Sequence, residues 1–203
     1  MAGRPRGVED AVILRAAAEV MGRLGPSGLT LAAVAREVGL VPGTLVQRFG
    51  SKRGLILALA DRSVRDTEAL PDRIRGEQGS ALGALAALLT EWAAPMVSPE
   101  TFANHLAFLC MDLTDPELHE RALAVHQAQR RAVGALLAQA VSTGELRAAT
   151  DVEALTATVQ AVTSGTGLSW ALDRQGALVQ RVRHGLDAVL APHTASATAT
   201  ATT

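Results

Sequence analysis

The chain has 203 residues, of which 48% are hydrophobic and only 2% aromatic, with no tyrosine. This length allows one or two domains with a real core, and abundant alanine and leucine without alternating β-branched and aromatic runs favour an all-helical fold. The net charge is −1, but the charges are distributed unevenly along the chain. Residues 1–65 contain ten Lys/Arg and five Asp/Glu, whereas residues 66–203 contain nine Lys/Arg and fifteen Asp/Glu. This distribution suits nucleic-acid binding by the first part alone.

The cysteine content and the hydropathy of the chain indicate its cellular compartment and exclude some kinds of metal site. The single cysteine, Cys110, excludes an internal disulfide and any cysteine-rich zinc site. Residues 1–10 lack the apolar core of a signal peptide, and no run of about 18 uninterrupted apolar residues indicates a membrane span. We therefore expect a cytoplasmic protein.

The chain begins with a short basic arm followed by a helix. Arg4 and Arg6 lie in this arm, which either enters a minor groove of DNA or is a solvated tail. A stripe of apolar residues predicts a helix over residues 8–24, and the glycine- and proline-containing segment 25–28 predicts its end. This helix is expected to pack across the next two, which are too short to be stable alone.

Two short helices joined by a tight turn are predicted by the segment TLAAVAREVGLVPGTLVQRFGSK. Apolar residues at three- and four-residue steps predict a helix over residues 31–38, with Thr30 capping its start. Gly39 favours the left-handed turn that follows, and Pro42 suits the first position of a second helix that ends near Phe49. This spacing is typical of a helix-turn-helix, whose second helix reads the major groove of DNA.

Residues 8 to about 60 resemble the DNA-binding domain of the TetR (tetracycline repressor) family. The positions that match the family pattern without a gap are Thr30, Val34, Ala35, Val38, Gly39, Leu40, Gly43, Thr44, Leu45, Phe49, Ser51, Lys52 and Leu55. The resemblance implies an all-α protein with an N-terminal three-helix DNA-binding head over residues 1–54. It further implies a C-terminal helical bundle for ligand binding and dimerisation over residues 55–192, and we expect a disordered tail over 193–203.

The resemblance also implies which residues contact the DNA backbone. Thr30, Thr44 and Lys52 match positions at which family members bind phosphate. Thr44 lies in the first turn of the second helix, where free N–H groups favour an anion. Gly43, next to Pro42, has no side chain and allows the backbone to approach the sugar-phosphate closely.

Base contact is expected from the middle of the second helix. Gln47 and Arg48 are the candidates, because glutamine pairs with adenine and arginine makes two bonds to guanine. Arg48 alternatively supplies a phosphate contact that Val46 cannot make, since family members usually carry a tyrosine at the position of Val46. Val41 stands where the family often has a capping residue, and valine cannot cap a helix.

The remainder of the chain is predicted to be helical. Helices are expected over residues 55–70, 81–94, 99–113, 116–142, 152–172 and 177–190. Pro71 is expected to end the first of them, with a loop over 72–80. Ser98 and Asp115 each precede a proline and an acidic residue, a combination that is typical of a helix start.

A small-molecule effector is implied by the resemblance, and its site is sought among large apolar residues with a few polar groups. The candidates are Trp92, Met96, Phe102, His105, Phe108, Met111 and Trp170. Ordinary core packing is an equally valid interpretation for each of them. The last two helices correspond by position to the pair with which family members form homodimers, and small residues from Ala157 to Gly165 allow close approach.

The preferred interpretation is a transcription regulator, most often a repressor in this family, that a small molecule releases from a palindromic operator. One alternative is a helical small-molecule-binding protein or enzyme with an incidental basic head, and another is a DNA-binding protein without a ligand. No metal site is expected from Asp112, Asp115, Glu117 and His119, whose spacing fits no common zinc or calcium loop. No catalytic residues and no cofactor are expected either, because no nucleophile elbow or phosphate loop is present.

Overall fold

The computed structural model describes residues 8–195 and is built from helices. They are α1 (Asp10–Gly28), α2 (Leu31–Glu37), α3 (Pro42–Phe49), α4 (Lys52–Glu77), α5 (Ala81–Ala93), α6 (Pro99–Asp112), α7 (Pro116–Ser142), α8 (Val152–Asp173) and α9 (Leu178–Leu190), followed by one turn of 3-10 helix (Ala191–His193). Within the described residues, the β-pairing is limited to an isolated bridge between Leu146 and Thr194. The predicted all-α class is confirmed.

The helix-turn-helix has the predicted local signals. The Thr30 hydroxyl accepts a hydrogen bond from the backbone N–H of Ala33 at 3.0 Å and caps α2. Gly39 takes the left-handed turn after α2 with φ 67°. Pro42 begins α3, and Val41 before it makes no capping bond, as its side chain predicts.

One predicted boundary is wrong, and it concerns a proline. Helix α4 begins at Lys52 and continues through Pro71 to Glu77. The buried residues of α4 in this region are Thr67, Pro71 and Ile74. Their helical spacing means that the buried face of α4 continues past the proline. The packing of this face outweighs the cost of about 3 kcal/mol for a proline inside a helix. By contrast, the predicted end of the first helix near residue 24 is confirmed, because the backbone at Gly25 is not helical, with φ 66° and ψ −171°; a short further turn containing Pro26 follows up to Gly28.

The later helix starts are confirmed. Ser98 caps α6 by accepting from the N–H of Thr101 at 3.1 Å. Asp115 accepts from the N–H of Glu117 at 3.1 Å at the start of α7. Before α8, Asp151 accepts from the N–H of Ala154 at 3.0 Å.

The chain divides into two compact units, each with its own interior. The first unit contains residues 8–66 and 98–125. Its core is formed by α1, α2, α3, the start of α4 and α6, and the fully buried members are Ile13, Ala17, Val20, Leu29, Val34, Ala35, Leu45 and Leu55. The short helices α2 and α3 are therefore stabilised by packing rather than by their own propensity.

The second unit contains residues 67–97 and 126–195. Its buried residues include Leu85, Leu88, Val133, Leu136, Leu137, Leu146, Val159 and Val182. The Glu145 carboxylate accepts from the N–H groups of Ala81 and Leu82 at 2.9 and 3.1 Å and so stabilises the start of α5.

The described end of the chain is folded. The N–H of Arg147 donates to the carbonyl of His193 at 2.9 Å, and the N–H of Ala195 donates to the carbonyl of Glu145 at 3.2 Å. The tail predicted from residue 193 therefore starts too early, and the rest of it, residues 196–203, lies outside the described residues. No helix within residues 8–195 combines the length and the hydrophobicity needed to cross a bilayer.

Candidate nucleic-acid interface

Helix α3 presents one face to the core of the first unit and the opposite face to solvent. Leu45 is fully buried in the core, and Phe49 is partly buried against it. The solvent-facing residues Pro42, Gly43, Val46 and Gln47 form what we call the recognition surface. Because Pro42 and Val46 are four residues apart, as are Gly43 and Gln47, these residues share one side of the helix.

Arg48 is turned away from this surface by bonds within the first unit. Its guanidinium donates to the carboxylate of Asp10 at 2.9 Å and also to the carbonyl of Val8. These bonds join the end of α3 to the start of α1. Both bonds start from Nη1, so the remaining N–H donors of the guanidinium are still available for the base or phosphate contact that the sequence predicts.

The predicted phosphate contacts lie at the ends of helices. Thr30 is exposed at the start of α2, and Thr44 is half-buried in the first turn of α3. The Lys52 ammonium donates to the carbonyl of Pro26 at 2.6 Å, where the kinked end of α1 leaves carbonyl groups without helical donors. Lys52 therefore has a structural partner whether or not it contacts DNA. Arg4 and Arg6 lie outside the described residues.

Helices α1 and α6 approach closely through two glycines of α1. A Cβ placed on Gly22 would lie 3.1 Å from His105 Nε2, and one placed on Gly25 would lie 2.6 Å from Asn104 Oδ1. The Asn104 amide donates to the carbonyl of Gly22 at 2.8 Å. The residue four positions after Gly22 is Pro26, which has no N–H to offer that carbonyl, so Asn104 supplies the missing donor from another helix.

A second connection joins the start of α4 to the start of α7. The Arg53 guanidinium pairs with both oxygens of Asp115 and with Glu117, the latter at 2.5 Å. These bonds raise the pKa of Arg53 and lower the pKa of Asp115. Asp115 and Glu117, two of the residues from which no metal site is expected, are therefore paired with an arginine.

Asp112 lies beside this ion-pair cluster in a different environment. Burial, followed by repulsion from Asp115, raises the pKa of Asp112 to about 6. The folded state therefore binds a proton more tightly than the unfolded state, and the contribution of Asp112 to stability falls as the pH rises from about 4 to about 6.

We expect Asp112→Asn to raise the free energy of unfolding at pH 7 by roughly 1 kcal/mol, a figure reduced for partial exposure. Urea unfolding at pH 5 and pH 7 measures this difference. The variant should lose less stability than the wild-type protein between the two values. An equal loss in both proteins would show that Asp112 is not the titrating group.

The candidate ligand residues are divided between the two units. Phe102, His105, Phe108 and Met111 lie on α6 in the first unit, where Phe108 belongs to the core. Met111 is exposed, and burial lowers the pKa of His105, which faces α1.

Trp92, Met96 and Trp170 lie in the second unit. The Trp170 indole is buried and donates to the carbonyl of Gly176 at 3.0 Å. By contrast, the buried indole nitrogen of Trp92 has no hydrogen-bond partner among the described residues.

Sequence reasoning missed Asn104, Arg53 and Gly54. A signal for Asn104 exists in the chain, since a proline four residues after Gly22 leaves a carbonyl without its donor. The identity of the donor has no such signal, because Asn104 is 82 residues away. Gly54 lies against the carbonyl of Phe49, a contact that depends on how α4 leaves the turn after α3.

Taken with the exposed face of α3, the fold and the site define a helix-turn-helix DNA-binding protein. Residues 13–59 match the family model described as bacterial regulatory proteins of the tetR family. Residues 76–164 match the model for a tetracyclin repressor-like C-terminal domain. The chain belongs to the TetR family of DNA-binding transcription regulators.

Solved structures of similar fold cover nearly the whole chain. A TetR-family transcriptional regulator from Rhodococcus sp. is 24% identical with a TM-score of 0.66, covering 90% of this chain and 97% of that one. SmeT, the repressor of the multidrug efflux pump SmeDEF of Stenotrophomonas maltophilia, is 17% identical with a TM-score of 0.68, covering 94% and 93%. FadR of Bacillus subtilis, solved in complex with stearoyl-CoA, is 18% identical with a TM-score of 0.64, covering 89% and 97%. No curated protein matches the sequence.

Proposed function

We propose that this regulator is a homodimeric repressor that binds a palindromic operator and releases it when a small molecule binds. Residues 1–54 would contact DNA, and residues 55–192 would bind the effector and dimerise. The observation that carries the proposal is the recognition surface of α3, whose members are exposed while Leu45 on the opposite side is fully buried. A helix anchored in this way is free to enter a major groove.

Gln47 and Lys52 are proposed to have different roles on DNA. Gln47 is exposed on the recognition surface and is proposed to read a base, so we expect Gln47→Ala to relax the preference at one base position by ~1–3 kcal/mol. Lys52→Met should weaken binding to all sequences and flatten the salt dependence. Binding titrations at several salt concentrations, on the operator and on single-base variants, measure both effects.

Two results would contradict this division of roles. The first is an equal response of the Gln47→Ala and Lys52→Met variants in the salt titrations. The second is a Lys52→Met variant whose affinity falls only because the head unfolds, since Lys52 also bonds to Pro26. Thermal unfolding of the free variant, compared with that of the wild-type protein, detects the second case.

The proposed dimer surface lies on α8. Ala157, Ala161, Ser164 and Gly165 are all exposed, and Leu168 and Leu172 continue the row with 49% and 78% of their surfaces accessible. An exposed apolar row of this kind is typical of an interaction surface, and its small residues let a second helix approach closely. A second copy of the chain would place two heads on half-sites about 34–36 Å apart.

Effector binding is supported by the unpartnered indole of Trp92. A buried N–H without an acceptor costs roughly 1–3 kcal/mol, and a ligand with a hydrogen-bond acceptor would remove that cost. Met96 lies four residues further along the chain, and the stearoyl-CoA complex of Bacillus subtilis FadR demonstrates that a similar fold accommodates a small molecule. To act as an inducer, the ligand must prefer the conformation that does not bind DNA.

Selection of bound sequences from random duplex DNA tests the proposal. The expected result is a palindromic sequence bound by a dimer, with the mass of the complex measured by light scattering. A panel of small molecules is then tested for release of the selected operator and for a shift in melting temperature. If the protein retains no sequence in preference to random competitor DNA at low salt, the proposed function is contradicted. If it retains an operator that no tested ligand releases, the proposed function is limited to DNA binding.

A further inference from the structure

The recognition surface carries little polarity. Of its four residues, Pro42, Gly43 and Val46 have no side-chain donor or acceptor, and Gln47 alone has an amide. Val46 is 49% exposed, and it is the largest apolar side chain of this surface. Scattered exposed valines are common on proteins, but this one lies in the middle of the helix that faces DNA.

Arg48 is not counted with this surface, because part of its guanidinium is bonded within the first unit. Its guanidinium is held by Asp10 and by the carbonyl of Val8, both near the start of α1. The Nη1 atom of this arginine is thus already occupied by two acceptors within the protein. Within the recognition surface itself, the side-chain groups that can contact a base edge are the amide of Gln47 and the branched apolar group of Val46.

The major groove contains one apolar feature that a valine can recognise. The C5-methyl group of thymine is the only methyl group on the edges of the four common bases, and it is read by apolar side chains. Valine offers no hydrogen bond to a phosphate or to any other base atom. We propose that Val46 packs against the methyl group of a thymine next to the base that Gln47 reads. This contact would make Val46 a specificity-determining residue.

The proposal rests on the proposed role of α3 in the major groove, and it deepens that role. It predicts an operator half-site in which a thymine lies beside an adenine, the base that an amide pairs with most readily. Removing the thymine methyl group should weaken binding by roughly three- to fivefold, the value expected for losing the burial of one methyl group.

The test uses the full chain and the operator selected from random DNA. Each thymine of one half-site is replaced in turn by uracil, which keeps the base pairing and removes only the methyl group. Dissociation constants are measured at fixed salt by fluorescence anisotropy for the wild-type protein, for Val46→Ala and for the control Val97→Ala. Val97 is 80% exposed and lies in the second unit between α5 and α6.

The expected result is one thymine whose replacement weakens wild-type and Val97→Ala binding by about three- to fivefold, while Val46→Ala binds both duplexes equally. Val46→Thr, which keeps one methyl group, should show an intermediate loss. Because Val46 is half exposed, all variants should melt like the wild-type protein.

The failure of this proposal is distinguishable from the failure of the proposed function. An operator that is bound equally well with thymine and with uracil at every position would overturn the role of Val46 and leave DNA binding intact. A methyl effect that persists in Val46→Ala would assign the contact to another residue. If no operator were selected at all, both proposals would fall.

Discussion

Replacing Gly54 by alanine should disrupt the junction between α3 and α4. A Cβ at this position would lie 1.9 Å from the carbonyl oxygen of Phe49 and 3.1 Å from its carbonyl carbon. Both atoms belong to the backbone, so no side-chain rotation relieves the clash, and either α4 or the end of α3 must move. We expect Gly54→Ala to lower the free energy of unfolding by roughly 3 kcal/mol, the upper end for overpacking.

Operator binding should also weaken, even under conditions where the variant remains folded. Leu45 and Phe49 anchor α3 in the core, and a shift of its last turn changes the direction in which the side chains of Val46 and Gln47, the proposed base contacts, point. We expect more than a tenfold loss of operator affinity at a temperature where the variant is still folded, measured by anisotropy, because about 1.4 kcal/mol of misfit suffices for tenfold.

Gly76→Ala is the matched control for this experiment. Gly76 lies in the same helix, α4, and a Cβ there meets no atom within 4 Å. Alanine at an open helical position should be neutral or should stabilise by roughly 1 kcal/mol, since alanine favours the helix over glycine. If Gly54→Ala and Gly76→Ala unfold at the same denaturant concentration, the contact between Gly54 and Phe49 is not as close as the structure has it.

Local signals predicted most of the helix-turn-helix, because its boundaries are set by residues that act on their immediate neighbours. Thr30 caps α2, Gly39 takes a left-handed turn and Pro42 begins α3, and each of these roles is readable within a few residues of sequence. The same holds for Ser98 and Asp115 at the starts of α6 and α7.

Prediction failed where packing overrides a local preference. Pro71 normally ends a helix, yet Thr67 and Ile74 are buried on the same face of α4, and their burial keeps the helix intact. The direction of Arg48 was also beyond sequence reasoning, since its partner Asp10 is 38 residues away. The position of the candidate helix is therefore predictable from the sequence, while the directions of its exposed side chains depend on tertiary contacts.

Replacing Asn104 should also lower the free energy of unfolding, because this α6 residue supplies a hydrogen bond that α1 lacks. Its amide donates to the carbonyl of Gly22 at 2.8 Å, and the usual helical donor to that carbonyl is replaced by Pro26. Asn104→Leu removes the donor and leaves a buried acceptor unpaired, which costs roughly 1–3 kcal/mol. Leucine has the better helix propensity by a few tenths of a kcal/mol, so the measured loss will be a lower bound on the cost of the missing bond.

Urea unfolding of Asn104→Leu measures this loss, with Gln127→Leu as the control. Gln127 is an exposed amide on α7, so the same chemical change there should alter the free energy of unfolding by less than about 0.5 kcal/mol. Equal stability of the two variants would mean that water replaces Asn104 at the Gly22 carbonyl. A selective loss in Asn104→Leu would instead establish that the bend at Gly25 and Pro26 depends on α6 for the donor to the Gly22 carbonyl.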